Sequence, residues 1–499
     1  MPVDDDSTST VQGFQGEVYF RDEKKDSQYA LHRYQYAYTS YLDGSINPAI
    51  IFYAKDEEDV KKVVRYAREK NIAIALRTGG HQYSGASSTS GPNIQLDLSR
   101  AFRSEEDFQY DEKTNRLRVG ISFPLKEFNE RLGKKGLFIP HGQCENVHIG
   151  GHVQTGGYGQ LYRAFGLLAD HVKVIEIITA DAEKKLVSRE SNSDLFFAVL
   201  GGSPGNFGVI THVVVEPHRD ADHPNSRGLY AVYLYDAERL RRLLKLAAEF
   251  ANDDNLPIDY DYCVTAVSFT QDFFSLYPNM DNFMRLRHPD LYGGVGKEAS
   301  SIAPNGIVVF AQWANTQGKD QPYDDTVAKW FNRVKEAAHG LDISILLGNY
   351  MDNEHHAPLS KLMHNWIFLK VREYELPYIK RCYNTTEKVG DDWVDSFVKY
   401  VDEVQSDLIG TDCKLLIQVQ SLGKLSKVFL NKDNGTSFNW RDNRLSFASD
   451  IFYGPRGEAF AKNWQDRNDK SFLGDNGTFS KQDRRLFWAS HGNHNLNEV

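Results

Sequence analysis

The residues of this 499-residue chain whose types and spacing invite chemistry begin with His81 and Cys144. His81 closes the run Arg77-Thr-Gly-Gly-His81 and is followed by Gln82 and Tyr83, whereas Cys144 ends Gly142-Gln-Cys144. Gly150-Gly-His152-Val-Gln-Thr155-Gly-Gly-Tyr-Gly159 comes next, and Gly201-Gly-Ser-Pro-Gly205-Asn-Phe-Gly208 completes the series. Adjacent glycines let a backbone turn through positive φ and approach a bulky ligand, so main-chain N–H groups can cradle an anionic group there. The pattern predicts a large anionic cofactor cradled by main chain, and a flavin is the one expected. A lone loop histidine is more often structural, and a lone cysteine more often a small buried residue. It is their joint placement in successive glycine loops that points to chemistry.

Three other motifs invite different readings and fail on physical grounds. Gly201-Gly-Ser203-Pro-Gly205 fits the nucleophile elbow of serine hydrolases, but a helix is expected before it where the elbow needs a strand. The residue after Ser203 is Pro204, which has no N–H to offer an oxyanion. Gly157-Tyr-Gly159-Gln-Leu-Tyr162 starts like a dinucleotide fingerprint, yet has tyrosine where a third glycine would let helix and strand pack. His148 and His152 have the spacing of a helical zinc pair, but Gly150 and Gly151 between them disfavour a helix and no glutamate follows His148. No metal site is expected.

The elements around these loops follow from periodicity. Residues 49–54 form a short apolar run, after which Asp56 can cap a helix with an acidic first turn and a basic last turn. Val60, Val63, Val64 and Ala67 give that helix one buried stripe. Residues 72–76 are a second strand, so a β-α-β unit delivers the His81 loop directly from a strand end. Strands are expected over 93–98, 116–121, 172–179 and 207–215, with helices over 123–132 and over 193–200, the latter capped by Ser193. Beyond residue 220 helical stripes at 237–250 and 325–339 alternate with strand candidates at 229–234, 307–312, 366–371 and 414–420. That texture fits an antiparallel sheet covered by helices on one side.

Composition narrows the function classes. The chain is 41% hydrophobic and 25% charged, as folded proteins are. Its formal net charge of −10 argues against nucleic acid as a partner. No apolar run is long enough for a membrane span, and the acidic start Met1-Pro-Val-Asp-Asp-Asp lacks the basic opening of a secretory signal, so an intracellular monomer is expected, or a secreted one if a leader has been lost. Four cysteines, Cys144, Cys263, Cys382 and Cys413, are too scattered for a disulfide framework. Sequons at Asn384, Asn434 and Asn476 are no more than a chain rich in Asn, Ser and Thr produces by chance.

The glycine loops, together with Arg163-Ala-Phe-Gly-Leu-Leu-Ala-Asp170 and Asp194-Leu-Phe-Phe-Ala-Val-Leu-Gly-Gly202, resemble in order and spacing the flavin domain of berberine-bridge-enzyme-like oxidases. These belong to the vanillyl-alcohol oxidase / p-cresol methylhydroxylase superfamily. The resemblance is specific over residues 45–218 and weak across 220–440. It implies an α+β protein: a two-part FAD-binding domain over 46–219 with an N-terminal arm over 1–45, and an α+β substrate domain over 220–440. Residues 441–499 would return to the first domain, and they lack the family's usual closing segments, as if truncated. By the same resemblance FAD is attached doubly, to His81 and to Cys144. The implied cradle comprises Arg77, Thr78, Gly79, Gly80, His81 and Gln82 from the first loop, with Gly142, Cys144 and Val147 from the second. Gly150, Gly151, His152, Thr155, Gly156, Gly157 and Gly159 complete it, with Gly205, Gly208, Val209 and Ile210 from the last.

The resemblance further places Tyr83 in the active site and Val147 where a small residue admits oxygen to the flavin. Gln82 replaces the usual serine after the histidine, and Glu145 the usual proline after the cysteine, putting a charge that should oppose Cys144 ionisation. Gln418 and Gln420 stand where some members carry a glutamate base, and an amide cannot abstract a proton. The base must then come from elsewhere, with Tyr83, Glu373 and Asp450 as candidates. The expected activity is hydride transfer from a C–H beside a hydroxyl or amine of a small molecule to the flavin, with molecular oxygen as acceptor. A quinone-type acceptor, or a covalent flavoprotein with little turnover, is the alternative.

Overall fold

The computed structural model describes residues 11–21, 28–33, 35, 46–82, 85–268, 305–338, 353–365 and 378–473. The expected strand at 366–371 and the sequon at Asn476 lie outside the described residues. The first layer is a four-stranded sheet of β1 (Glu17–Phe20), β2 (Ile50–Tyr53), β3 (Ile74–Arg77) and β4 (Ile94–Asp97), in the order β1-β2-β4-β3. β4 runs parallel to both β2 and β3, and the N-terminal segment supplies β1 as an antiparallel edge strand. Helix Glu57–Lys70 crosses between β2 and β3; the Asp56 carboxylate accepts from the Asp59 N–H at 3.0 Å, as the acidic first turn predicts.

A five-stranded antiparallel sheet forms the second half of this domain, in the order β5 (Phe108–Asp111), β6 (Arg116–Gly120), β10 (Val209–Val215), β8 (Val172–Ile178) and β9 (Lys184–Val187). A ribbon of β7 (Leu137–Phe138) and β11 (His218–Arg219) lies beside it. Two local expectations need correction. Helix Ser193–Val199 is preceded by Asn192 in the left-handed region at φ 53°, and no side chain caps it, so Ser193 is its first residue instead of its cap. His148 does precede a short helix, Ile149–Gln154, as its N-cap, with His152 and both glycines inside it. Gly150 is required there because a Cβ would press on Ile121, which outweighs its helix propensity.

The second domain is one seven-stranded antiparallel sheet: β12 (Arg227–Leu234), β13 (Tyr260–Val267), β14 (Gly306–Trp313), β15 (Asn353–His356), β16 (Tyr378–Thr385), β17 (Cys413–Ser421) and β18 (Leu445–Tyr453). Its order is β15-β12-β14-β13-β17-β18-β16. Helices Ala237–Asn252, Asp325–Ala338, Asp391–Asp407 and Glu458–Leu473 cover one face, burying Leu415, Ile417 and Val419 of β17 with Tyr262, Val264 and Ile451. Successive side chains alternate across a strand, so Leu416, Gln418, Gln420 and Asp450 belong to the other face. β18 lies between β17 and β16, and so this sheet continues past residue 440.

Two buried side chains hold the domains together. Arg163 donates to the carbonyls of Leu422 (2.6 Å), Leu256 (2.8 Å), Tyr260 (3.1 Å) and Pro257. Asp170 receives Arg441 at 2.7 Å and Asn431 at 2.9 Å. Asn434 also donates to Asp170, and Asn384 is fully buried on β16, so neither sequon presents a free amide.

Candidate active site

A cavity of about 1530 Å³, its open mouth included, lies between the glycine loops and the uncovered face of the seven-stranded sheet. One wall is backbone. β3 ends at Arg77 and delivers residues 78–82 into the cavity, while the Arg77 guanidinium turns back to Asp97, the Tyr53 hydroxyl (3.1 Å) and the His32 carbonyl (2.7 Å). A Cβ on Gly79 would lie 2.9 Å from the Asn146 carbonyl and from His148, so that glycine lets the His81 loop seat against the Cys144 loop. The Gly142 N–H donates to His152 Nε2 at 2.8 Å. His141 and Gln160 form a β-bridge, and a Cβ on Gly159 would come within 2.0 Å of the His141 carbonyl. The second and third loops therefore touch through main chain.

Gln154 ties the third loop to the fourth: its amide donates to the Gly150 carbonyl at 2.8 Å and accepts from the Gly205 N–H at 3.1 Å. Thr78, Gly79, Gly80, His81, Gln82, Gly142, Cys144, Val147, Gly150, Gly151, His152, Thr155, Gly159, Gly205 and Ile210 all line this cavity. Four expected cradle residues do not. Gly156 and Gly157 admit Phe438 and Leu168 to close packing at positive φ, Gly208 lies against the Ile178 carbonyl, and Val209 pairs with Ile178 in the sheet. Their small size or shape serves packing behind the loops. Tyr83 and Glu373 lie outside the described residues.

The opposite wall is side chain. Lys380, Leu416, Gln418, Gln420 and Asp450 project from β16, β17 and β18. Lys380 and Asp450 are cross-strand partners, and the ammonium meets both carboxylate oxygens, at 2.9 and 2.8 Å. Gln418 donates to Gln143 Oε1 at 3.2 Å and to Cys263 Sγ at 3.0 Å, linking this wall to the residue before Cys144. Gln420 donates to the Gly159 carbonyl at 3.2 Å.

Burial governs the charge states. It pushes His148 and His152 down to about 3, so both are neutral in the working range. His152 accepts at Nε2 and therefore carries its proton on Nδ1. Burial raises Asp450, against the opposing pull of Lys380. Arg77 and Lys380 each face a carboxylate, so an anionic ligand on the loop wall would depend on backbone N–H groups. Glu145 stands 3.4 Å from Lys126, which offsets the charge expected to oppose Cys144 ionisation. The site fits an elongated anionic cofactor: Gly151 has open space where a Cβ would lie, His148 Nδ1 is buried without a hydrogen-bond partner, and His81 and the Cys144 side chain, which is in no disulfide, share one cavity.

Lys380, Gln143 and Gln154 were missed from sequence. Lys380 had no clear signal, because in Tyr378-Ile-Lys380-Arg-Cys382 the adjacent Lys380 and Arg381 put one charge on each face of the strand. The partner Asp450 is 70 residues away, and nothing local announces that pairing.

Residues 48–185 match the family described as FAD binding domain. The FAD-linked oxidoreductase ZEB1 of Gibberella zeae is 34% identical over 170 residues, covering 33% of this chain and 30% of that protein. Berberine bridge enzyme-like 19 of Arabidopsis thaliana is 32% identical over 170 residues, covering 33% and 29%. The matched stretch thus spans about a third of those relatives' own length. The structure of berberine bridge enzyme from Eschscholzia californica superposes with a TM-score of 0.69 at 18% identity, covering 97% of this chain and 86% of that one. The chain carries an FAD-binding domain and has the α+β fold of berberine bridge enzyme.

Proposed function

We propose, for a chain with an FAD-binding domain in the fold of berberine bridge enzyme, that it is a covalent flavoprotein oxidase acting on a C–H beside a hydroxyl or amine of a small molecule. The observation that carries this reading is the presence in one cavity of His81 and Cys144 on the loop wall and of a buried carboxylate, Asp450, on the other. A bound flavin supplies the hydride acceptor and, through oxygen, the return to its oxidised form with release of hydrogen peroxide. His81 and Cys144 would tether it, and the glycine loops would hold its pyrophosphate.

Asp450 takes the proton that leaves the substrate hydroxyl or ammonium as its carbon loses hydride. Burial makes this carboxylate a stronger base than one in water, while Lys380 fixes both of its oxygens and opposes that rise. Gln418 and Gln420 orient the substrate, since their amides cannot accept the proton. Val147 leaves room for oxygen beside the Cys144 loop.

The test is acid precipitation of purified protein followed by intact mass, with a peroxide assay against sugars, alcohols and amines. A yellow pellet heavier by one FAD, lost stepwise in His81→Ala and Cys144→Ala, and peroxide release with one substrate class are expected. A colourless pellet overturns the attachment, and turnover with a dye but not with oxygen overturns the oxidase assignment.

A further inference from the structure

Beside the side-chain wall, on the same face of the sheet, sits a carboxyl group that the reaction above does not use. Asp261, on β13, is buried at the seam between the domains and does not line the cavity. Its Oδ1 accepts from Gln420 Nε2 at 3.1 Å, while Oδ2 is buried with no hydrogen-bond partner. Gln420 Nε2 also donates to the Gly159 carbonyl at 3.2 Å. Two acceptors thus claim the same amide nitrogen, so the orientation of that amide is settled and its Oε1 is left for the cavity that Gln420 lines.

We infer that Asp261 is a positioning residue: its carboxylate fixes the Gln420 amide so that Oε1 faces the cavity as an acceptor, and uptake of a proton by Asp261 loosens that hold. The meaning for substrate, a hydroxyl or amine donor meeting Oε1, rests on the proposed function; the coupling of Asp261 to Gln420 does not.

The groups facing Asp261 leave it the one that changes charge in the working range. On helix Tyr162–Phe165, Tyr162 is held well above 10 by burial, and Arg163, lowered to about 10, stays cationic. On the same strand, burial pushes Cys263 up to about 12. Asp261 itself is raised to about 6, chiefly by burial, with the Gln420 bond, Arg163 and the main chain of Leu161 and Tyr262 opposing. Gln420 and Ser446, on β17 and β18, do not titrate. The nearest other titrating pair on this wall is Lys380 and Asp450. A proton on Asp261 replaces a charge-assisted hydrogen bond with a neutral one, roughly half as strong.

The experiment uses the full chain, deuterated and labelled with 15N-glutamine, and follows the Gln420 side-chain amide from pH 5 to 8, assigned by its absence in Gln420→Leu. An infrared titration of the protonated-carboxyl band runs alongside. The Gln420 resonance and the infrared band are expected to titrate together with a midpoint near 6. Asp261→Asn should lose both transitions, with the resonance held near its acid position, whereas Asp450→Asn should keep them. A Gln420 amide that does not move with pH, that moves equally in Asp261→Asn, or that stops moving in Asp450→Asn overturns the inference. The wild-type titration decides the matter even if Asp261→Asn folds poorly. A colourless acid pellet would remove the flavin reading and leave this coupling standing.

Discussion

The two walls of the cavity are built on opposite principles. The loop wall presents backbone: Gly79, Gly142 and Gly159 are small because neighbouring main chain and His152 occupy the space a Cβ would need. The sheet wall presents side chains, and its strands are regular enough that alternation alone decides which residues reach the cavity. Backbone recognition suits a constant ligand, since N–H groups of a rigid loop cannot be exchanged one at a time. Side chains on a regular sheet can be replaced without disturbing the ladder, so that wall can change its ligand preference at little cost to the fold. The family match over residues 48–185 takes in the first three glycine loops and none of the sheet wall, in keeping with that division.

The largest effect should come from the sheet wall. Asp450→Asn is expected to retain flavin while turnover falls by about 10²–10⁴, the usual range for a lost general base. Steady-state rates with the absorbance of bound flavin check this, and loss of flavin would break the division between the walls. Arg441→Met tests the joint between the domains. It strands the buried Asp170 carboxylate and should cost about 3–5 kcal/mol in denaturant unfolding.

Gly159→Ala probes the loop wall. The added methyl must displace the His141 carbonyl, so a loss of about 1–3 kcal/mol and poor flavin loading are expected, read from thermal melts and the visible spectrum. A normally loaded Gly159→Ala would show that the close approach of these loops is dispensable.

Acid should also distinguish the walls. His148 and His152 are held neutral in the fold, with values depressed from 6.5 to about 3. Their contribution is complete above 6.5 and is lost as pH falls toward 3, by about 1.4 kcal/mol per pH unit for each. Asp450 acts in the opposite sense, because a raised carboxyl value favours the fold as the proton binds. Unfolding midpoints followed from pH 7 to 4 should therefore fall less steeply in His148→Gln, and unchanged steepness would move the acid sensitivity elsewhere.

Much of the first domain was legible because its signals are local. The Asp56 cap, the stripe of Val60, Val63, Val64 and Ala67, and the β3 end before His81 each depend on residues a few positions apart. The glycine loops were equally readable, but which glycines face the cavity was not. Gly151 borders open space and Gly157 packs against Leu168, although both sit in one uninterrupted run. The Ser193 cap failed for a similar reason, since Asn192 takes the left-handed turn that starts that helix.

By itself the amino-acid order determined strands such as β2, β3, β4 and β17, the buried stripe of helix Glu57–Lys70 and the bends at paired glycines, because backbone conformation and amphipathic period are set by near neighbours. Tertiary structure decided which polar groups meet. Lys380 finds Asp450 across β16 and β18, Gln420 finds Asp261 and Gly159, and Arg163 reaches four carbonyls of the other domain. Those meetings depend on sheet order and register, which arise from burying apolar faces over the whole chain, and a polar residue's own neighbours carry no trace of the partner it will be given.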